Sequence, residues 1–138
     1  MTAKILYIED NPLNMRLVRK ILVSAGYQMV EAIDGFSGVT LAAKEMPDLI
    51  LMDINLPDID GLAATLRIKS SPKLSRIPVI ALTANTMHGD RERFIAAGCD
   101  GYIPKPVARN ELLMMVHTFL HTAPANRQVA ETSLAAGR

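Results

Sequence analysis

Three acidic residues of this chain stand where apolar runs stop. Glu9 and Asp10 follow Lys4-Ile5-Leu6-Tyr7-Ile8, and Asp53 follows Leu49-Ile50-Leu51-Met52. Runs of this length and character read as strands buried on both faces, so each acid sits where a strand leaves the core. A carboxylate there is either a helix cap or a working group. Thr83 ends a third such run, Pro78-Val79-Ile80-Ala81-Leu82, and Lys105 comes after a fourth, Gly101-Tyr102-Ile103. Brought to one edge, carboxylates about 4 Å apart repel by about 4 kcal/mol at an effective dielectric near 20. A divalent cation removes that penalty, and a donor set of oxygens alone, with the carbonyl of Asn55 added, suits Mg2+ or Mn2+. An open metal site flanked by Lys105 and Thr83 has the parts for phosphoryl transfer. No Ser or Cys sits beside a base, so the nucleophile is a carboxylate, and Asp53 is the best placed to form an acyl phosphate.

The elements that must carry these groups follow from periodicity. Asn11 can cap a helix and Pro12 suits its first turn; that helix runs to Ala25 and stops at Gly26. Its wheel puts Val18, Ile21, Leu22 and Ala25 on one face, with Leu13 and Met15 on the flanks near the acidic strand end. Gln28–Ala32 reads as a second strand, Asp34-Gly35 as a turn and Ser37–Lys44 as a helix closed off by Pro47. Asp60-Gly61 leads into a helix through Lys69, and another spans Asp90–Ala97 and ends at Gly98. A last helix from Asn110 to His121 places Leu112, Val116, Phe119 and Leu120 on one face and Met114 away from them. Five strands alternating with five helices predict a parallel sheet covered on both sides, with right-handed crossovers. In such folds the loops that carry chemistry lie beyond the carboxyl ends of the strands, where Glu9, Asp10, Asp53, Thr83 and Lys105 all fall.

Composition narrows the function. At 138 residues the chain has room for one domain with a sizeable core, read as residues 1–121, followed by a polar tail over 122–138 read as mobile. Fifteen Lys and Arg against fourteen Asp and Glu leave a net charge of +1, which offers no field for nucleic acid or an anionic membrane. The partner is therefore a protein recognised by surface shape. One cysteine, Cys99, cannot form an internal disulfide, and no signal peptide or membrane-spanning run is present, which reads as a cytoplasmic protein. His88, His117 and His121 have no metal-binding spacing.

The spacing of Glu9-Asp10, Asp53, Thr83-Ala84 and Lys105-Pro106 resembles the receiver domain of two-component response regulators, of the stand-alone DivK type or the type fused to hybrid histidine kinases. The likeness covers Lys4 to His121. It implies a doubly wound sheet of strand order 2-1-3-4-5 and a phosphoacceptor role for Asp53, loaded from a phosphohistidine on a histidine kinase or histidine-phosphotransfer protein. It further implies that Glu9, Asp10, Asp53 and the backbone carbonyl of Asn55 support Mg2+. Thr83 and Tyr102 would be the switch pair, Ala84 part of the same motif, Lys105 the phosphate-binding cation and Lys105-Pro106 a cis peptide. Asn55 and Asn85 occupy positions that tune phosphoryl lifetime in that family. Pro104 before Lys105 and Ala63, where an acid is frequent, depart from the common pattern.

Two further readings stand beside this one. A Mg2+-dependent phosphatase or phosphotransferase acting on small molecules through an aspartyl phosphate would use the same nucleophile, but such enzymes carry an acid two residues beyond it, and Asn55 occupies that place. A receiver excised from a longer protein is the other; Met1 and the polar tail favour a stand-alone chain. Leu13, Met15 and Met114 are apolar residues expected at the surface, and Leu13 and Met15 border the acidic edge where a phosphodonor would dock.

Overall fold

The computed structural model describes residues 2–84 and 90–121; Asn85, His88 and the segment 122–138, which carry expectations above, lie outside the described residues. Among the described residues ten elements alternate: β1 (Lys4–Ile8), α1 (Pro12–Ser24), β2 (Gln28–Ala32), α2 (Gly35–Glu45), β3 (Leu49–Asp53), α3 (Gly61–Ser70), β4 (Val79–Thr83), α4 (Asp90–Ala97), β5 (Gly101–Pro104) and α5 (Arg109–Leu120). The strands form one parallel sheet in the order β2-β1-β3-β4-β5. No helix among the described residues is long and apolar enough to cross a membrane.

Period-two alternation divides the core. Ile5, Tyr7, Leu51, Leu82 and Ile103 point to the face covered by α1 and α5, where they meet Val18, Leu22, Leu112 and Phe119. Leu6, Ile8, Ile50, Met52 and Val79 point to the other face, under Ala42 of α2 and Ala64 and Ile68 of α3. Further along that second face Ala81 and Tyr102 pack with Phe94 of α4 and Cys99. Both faces of β3 and β4 are buried, which is why those strands lack polar alternation until their last residues.

Caps and close approaches fix the loops. Asn11 accepts from the N–H groups of Leu13 and Asn14 at 2.9 and 3.1 Å, so α1 begins at Pro12. Asp34 is a cap rather than a turn residue: its carboxylate accepts from Ser37 N–H at 2.8 Å, which starts α2 at Gly35, two residues earlier than its apolar period indicates. Asp58, in the loop after β3, accepts from the N–H groups of Gly35 and Phe36 at 2.7 and 2.8 Å and ties that loop to the positive end of α2. Beneath the sheet's far end, Lys69 of α3 donates to the carbonyls of Ser75 and Ile77 and to Asp100 Oδ2 at 2.8 Å. Asp100 Oδ2 also takes the Val79 N–H, so one partly buried ion pair aligns α3, β4 and β5.

Two placements differ from the sequence reading. Met15 is 6% exposed and belongs to the core on the α1/α5 face. It precedes Val18 by three residues and Leu22 by seven, so it lies on their stripe and not on a flank. Ala25, assigned to that stripe, is the exposed C-cap of α1. Pro104, where the sequence departs from the common pattern, is the last residue of β5 and pairs with Thr83. Pro104 has no N–H to give the Thr83 carbonyl beside it, and the next residue, Lys105, donates there instead at 2.8 Å.

Gly61 opens α3 directly against the end of β3, donating its N–H to Ile54 O at 2.8 Å. A Cβ there would lie 2.7 Å from the Ile54 Cα and nearer still to the carbonyl oxygen of Asp53, both backbone atoms that cannot swing aside. Gly61→Ala is therefore expected to destabilise the fold by about 1–3 kcal/mol, read as a lowered midpoint in urea unfolding; an unchanged midpoint would show that the helix start can retreat freely.

The acidic pocket at the carboxyl edge of the sheet

The strand ends bring the acidic groups together. Glu9 and Asp53 are 1% and 2% exposed, Asp10 is exposed, and an oxygen of each lies within 4.8 Å of the others. Glu9 keeps the side-chain parity of Ile5 and Tyr7, and Asp53 that of Leu49 and Leu51, so both carboxylates lie toward the α1/α5 side. Lys105 enters from β5, its backbone N–H held by the Thr83 carbonyl at 2.8 Å. Its ammonium donates to Asp53 Oδ1 at 3.0 Å and to Glu9 Oε1 at 3.1 Å. Glu9 is further held by the Tyr7 hydroxyl, which donates to Oε1 at 2.7 Å, and by the Asn11 N–H on Oε2 at 3.3 Å. The Asn55 N–H donates back to Asp53 Oδ1 at 3.3 Å, an Asx turn that carries the chain out of the pocket.

These contacts push the two buried acids apart. Burial raises Glu9, but hydrogen bonds from Tyr7, Asp53 and Lys105 more than offset it and hold its carboxyl below the usual range. Burial and the neighbouring Glu9 push Asp53 up to about 6, against the pull of Lys105. Lys105 is moved up despite its burial, because two carboxylates face it. Tyr7 is raised by burial and by Glu9, so its hydroxyl stays protonated and remains a donor.

Thr83 and Tyr102 occupy the opposite face. Thr83 shares the parity of Ala81, is 2% exposed, and stands two residues beyond the partner of Tyr102 on the adjacent strand. The Tyr102 ring is half-buried and tilted against Phe94, with centroids 5.6 Å apart. Ala84 and Asn55 are exposed at the mouth, and the Lys105-Pro106 bond is cis. Leu13 and Met114 are both 70% exposed, on α1 and α5, whereas Met15 is withdrawn into the core and offers no docking surface. Tyr7 was the group sequence reasoning missed: a tyrosine inside an aliphatic strand reads as core, yet its place two residues before Glu9 put both on one face.

A parallel sheet of this order, with three carboxylates and one lysine at its carboxyl edge, defines a phosphoaccepting receiver. The chain belongs to the response regulator receiver domain family, whose model matches residues 5–117. It is 41% identical over 123 residues to the polar-differentiation response regulator DivK of Brucella ovis, covering 89% of this chain and 100% of that protein. The receiver domain of a sensor histidine kinase from Pseudomonas aeruginosa PAO1, whose crystal structure has magnesium coordinated in the active-site cleft, superposes with a TM-score of 0.83 at 38% identity, over 88% of this chain and 100% of that one. The chemotaxis protein CheY4 of Vibrio cholerae aligns with a TM-score of 0.81 at 26% identity, over 85% of this chain and 98% of that one.

The donor set fits a hard divalent cation: three carboxylates, acceptors only once ionised, one of them resisting ionisation because of its burial and its neighbour Glu9. The acid raised from an ordinary 3.8 to about 6 holds its proton in the fold across that interval. Its contribution to stability is therefore full below about pH 4 and falls as pH rises through about 6, by roughly 3 kcal/mol. A divalent cation held by the ionised pocket would oppose that loss. Millimolar Mg2+ is thus expected to raise the thermal midpoint at pH 7.5 far more than at pH 4.5; equal gains would show that binding does not run through these carboxyls.

Proposed function

We propose that Asp53 accepts a phosphoryl group from phosphohistidine on a histidine kinase or a histidine-phosphotransfer protein, and that the aspartyl phosphate switches binding to a protein target. The observation that carries this reading is the Lys105 ammonium 3.0 Å from Asp53 Oδ1 at the floor of the acidic pocket. An Asp53 oxygen attacks phosphorus as the P–N bond breaks, and the departing imidazole keeps the bonding pair and takes a proton from solvent. Glu9, Asp10, Asp53 and the Asn55 carbonyl would hold Mg2+, with Mn2+ a suitable substitute. When bound, the cation supplies positive charge that offsets the crowded carboxylates and the incoming phosphoryl oxygens. Lys105 then moves its hydrogen bond from the Asp53 carboxylate to a phosphoryl oxygen, and the Thr83 hydroxyl and the Ala84 N–H donate to the other phosphoryl oxygens.

The change in Thr83 reaches Tyr102 across one strand gap on the α4 side, a shift between populations separated by a few kcal/mol. Asn55 and Asn85, two residues past Asp53 and Thr83, set how long the phosphoryl group survives. Asn55 is neutral where a phosphatase of this chemistry needs an acid, which supports slow loss of the phosphoryl group over turnover. The receiver unit spans residues 1–121 and works in the cytoplasm, where phosphohistidine donors present their phosphoryl groups. No nucleic-acid or membrane partner is part of this reading.

Phosphotransfer from a labelled histidine-phosphotransfer protein is expected to modify the wild type and leave Asp53→Asn unlabelled. Equal labelling of both would move the acceptor elsewhere. Leu13 on α1, just after the Glu9-Asp10 strand end, and Met114 on α5, both exposed, are the surface for the donor. Leu13→Asp is expected to slow that transfer at least about tenfold, as loss of an interface anchor does, while labelling by acetyl phosphate stays at the wild-type rate. Slowing with both donors alike would place the defect in the pocket instead. Met15→Asp is no substitute for this test, since it would bury a carboxylate in the core.

A further inference from the structure

Tyr7 has no role in the chemistry above, yet it makes the shortest hydrogen bond to the buried carboxylates, 2.7 Å to Glu9 Oε1. That oxygen also takes Lys105 at 3.1 Å, and the same ammonium reaches Asp53 at 3.0 Å. Lys105 is thus divided almost evenly between two acids that compete for it. We propose that Tyr7 is a positioning residue: by satisfying Glu9 it leaves Lys105 free to serve Asp53.

Three observations fix the arrangement. Glu9 is 1% exposed, so it cannot recruit solvent in place of a lost donor. Tyr7 is fully buried in the core under α1 and α5, and its strand position is set on both sides, opposite Glu31 of β2 and Leu51 of β3. Its hydroxyl therefore has one place to donate. Without it, Glu9 Oε1 loses its shortest donor and draws the ammonium toward itself, away from Asp53 Oδ1, which also takes the longer Asn55 N–H at 3.3 Å. The charge that should meet the phosphoryl oxygens would then stand nearer the wrong carboxylate.

This inference rests on the proposed roles of Asp53 and Lys105, and a double-mutant cycle separates it from them. The rate constant for labelling by acetyl phosphate is measured at saturating Mg2+ for wild type, Tyr7→Phe, Glu9→Gln and the double variant, with Asp53→Asn alongside. Tyr7→Phe keeps the ring that fills the core, and its thermal midpoint is recorded in parallel. Tyr7→Phe is expected to slow labelling about three- to tenfold in the wild-type background and by less than about 1.5-fold beside Glu9→Gln, where residue 9 no longer carries the charge that competes with Asp53 for Lys105. The same factor in both backgrounds would reduce Tyr7 to packing, and no effect in the wild-type background would overturn the proposal outright. Label retained by Asp53→Asn would sink the underlying reading, whereas its loss there beside an unaffected Tyr7→Phe would sink the positioning role alone.

Discussion

One ammonium shared between two buried carboxylates governs this pocket. Glu9 and Asp53 are both nearly inaccessible, and two adjacent negative charges at that depth would not persist without a cation between them. Lys105 supplies that cation, but only because the chain after β5 is pinned to the Thr83 carbonyl and delivers the side chain across the end of β3. The counter-charge is thus set by backbone pairing. The acids, in turn, are set by strand parity.

The surrounding framework serves the same end. Asp58 anchors the loop after β3 to the start of α2, and Gly61 lets α3 begin within contact of the Asp53 backbone. At the opposite edge the Lys69–Asp100 pair levels the beginnings of β4 and β5, so that Thr83 and Lys105 finish their strands side by side. A second partly buried lysine at the far end of the sheet therefore helps place the first.

Much of this was legible in the residues because apolar runs that stop at an acid carry their own boundaries: β1, β2 and α4 lie where pattern and punctuation put them. The start of α2 did not, because one of its caps, Asp58, lies 23 residues from Gly35 and only the folded chain brings the two together. Met15 was misassigned through a wheel centred on the later turns of α1, although its spacing to Val18 and Leu22 held the answer. In the pocket, residue types and strand ends pointed to the acids, threonine and lysine. Tyr7 escaped because a buried aromatic declares its packing and conceals its hydroxyl.

The alternation that sets Glu9 and Asp53 on the α1/α5 side and Thr83 and Tyr102 on the α4 side has a consequence for how such a domain diversifies. The two groups start on different faces of the sheet and approach each other at the ends of β4 and β5. Substitutions on α1 or α5 can rework what approaches the pocket without repacking the Phe94–Tyr102 contact, and changes on α4 can rework that contact without touching the pocket. The sheet acts as a partition between two packing neighbourhoods, which leaves each free to drift while the other is held.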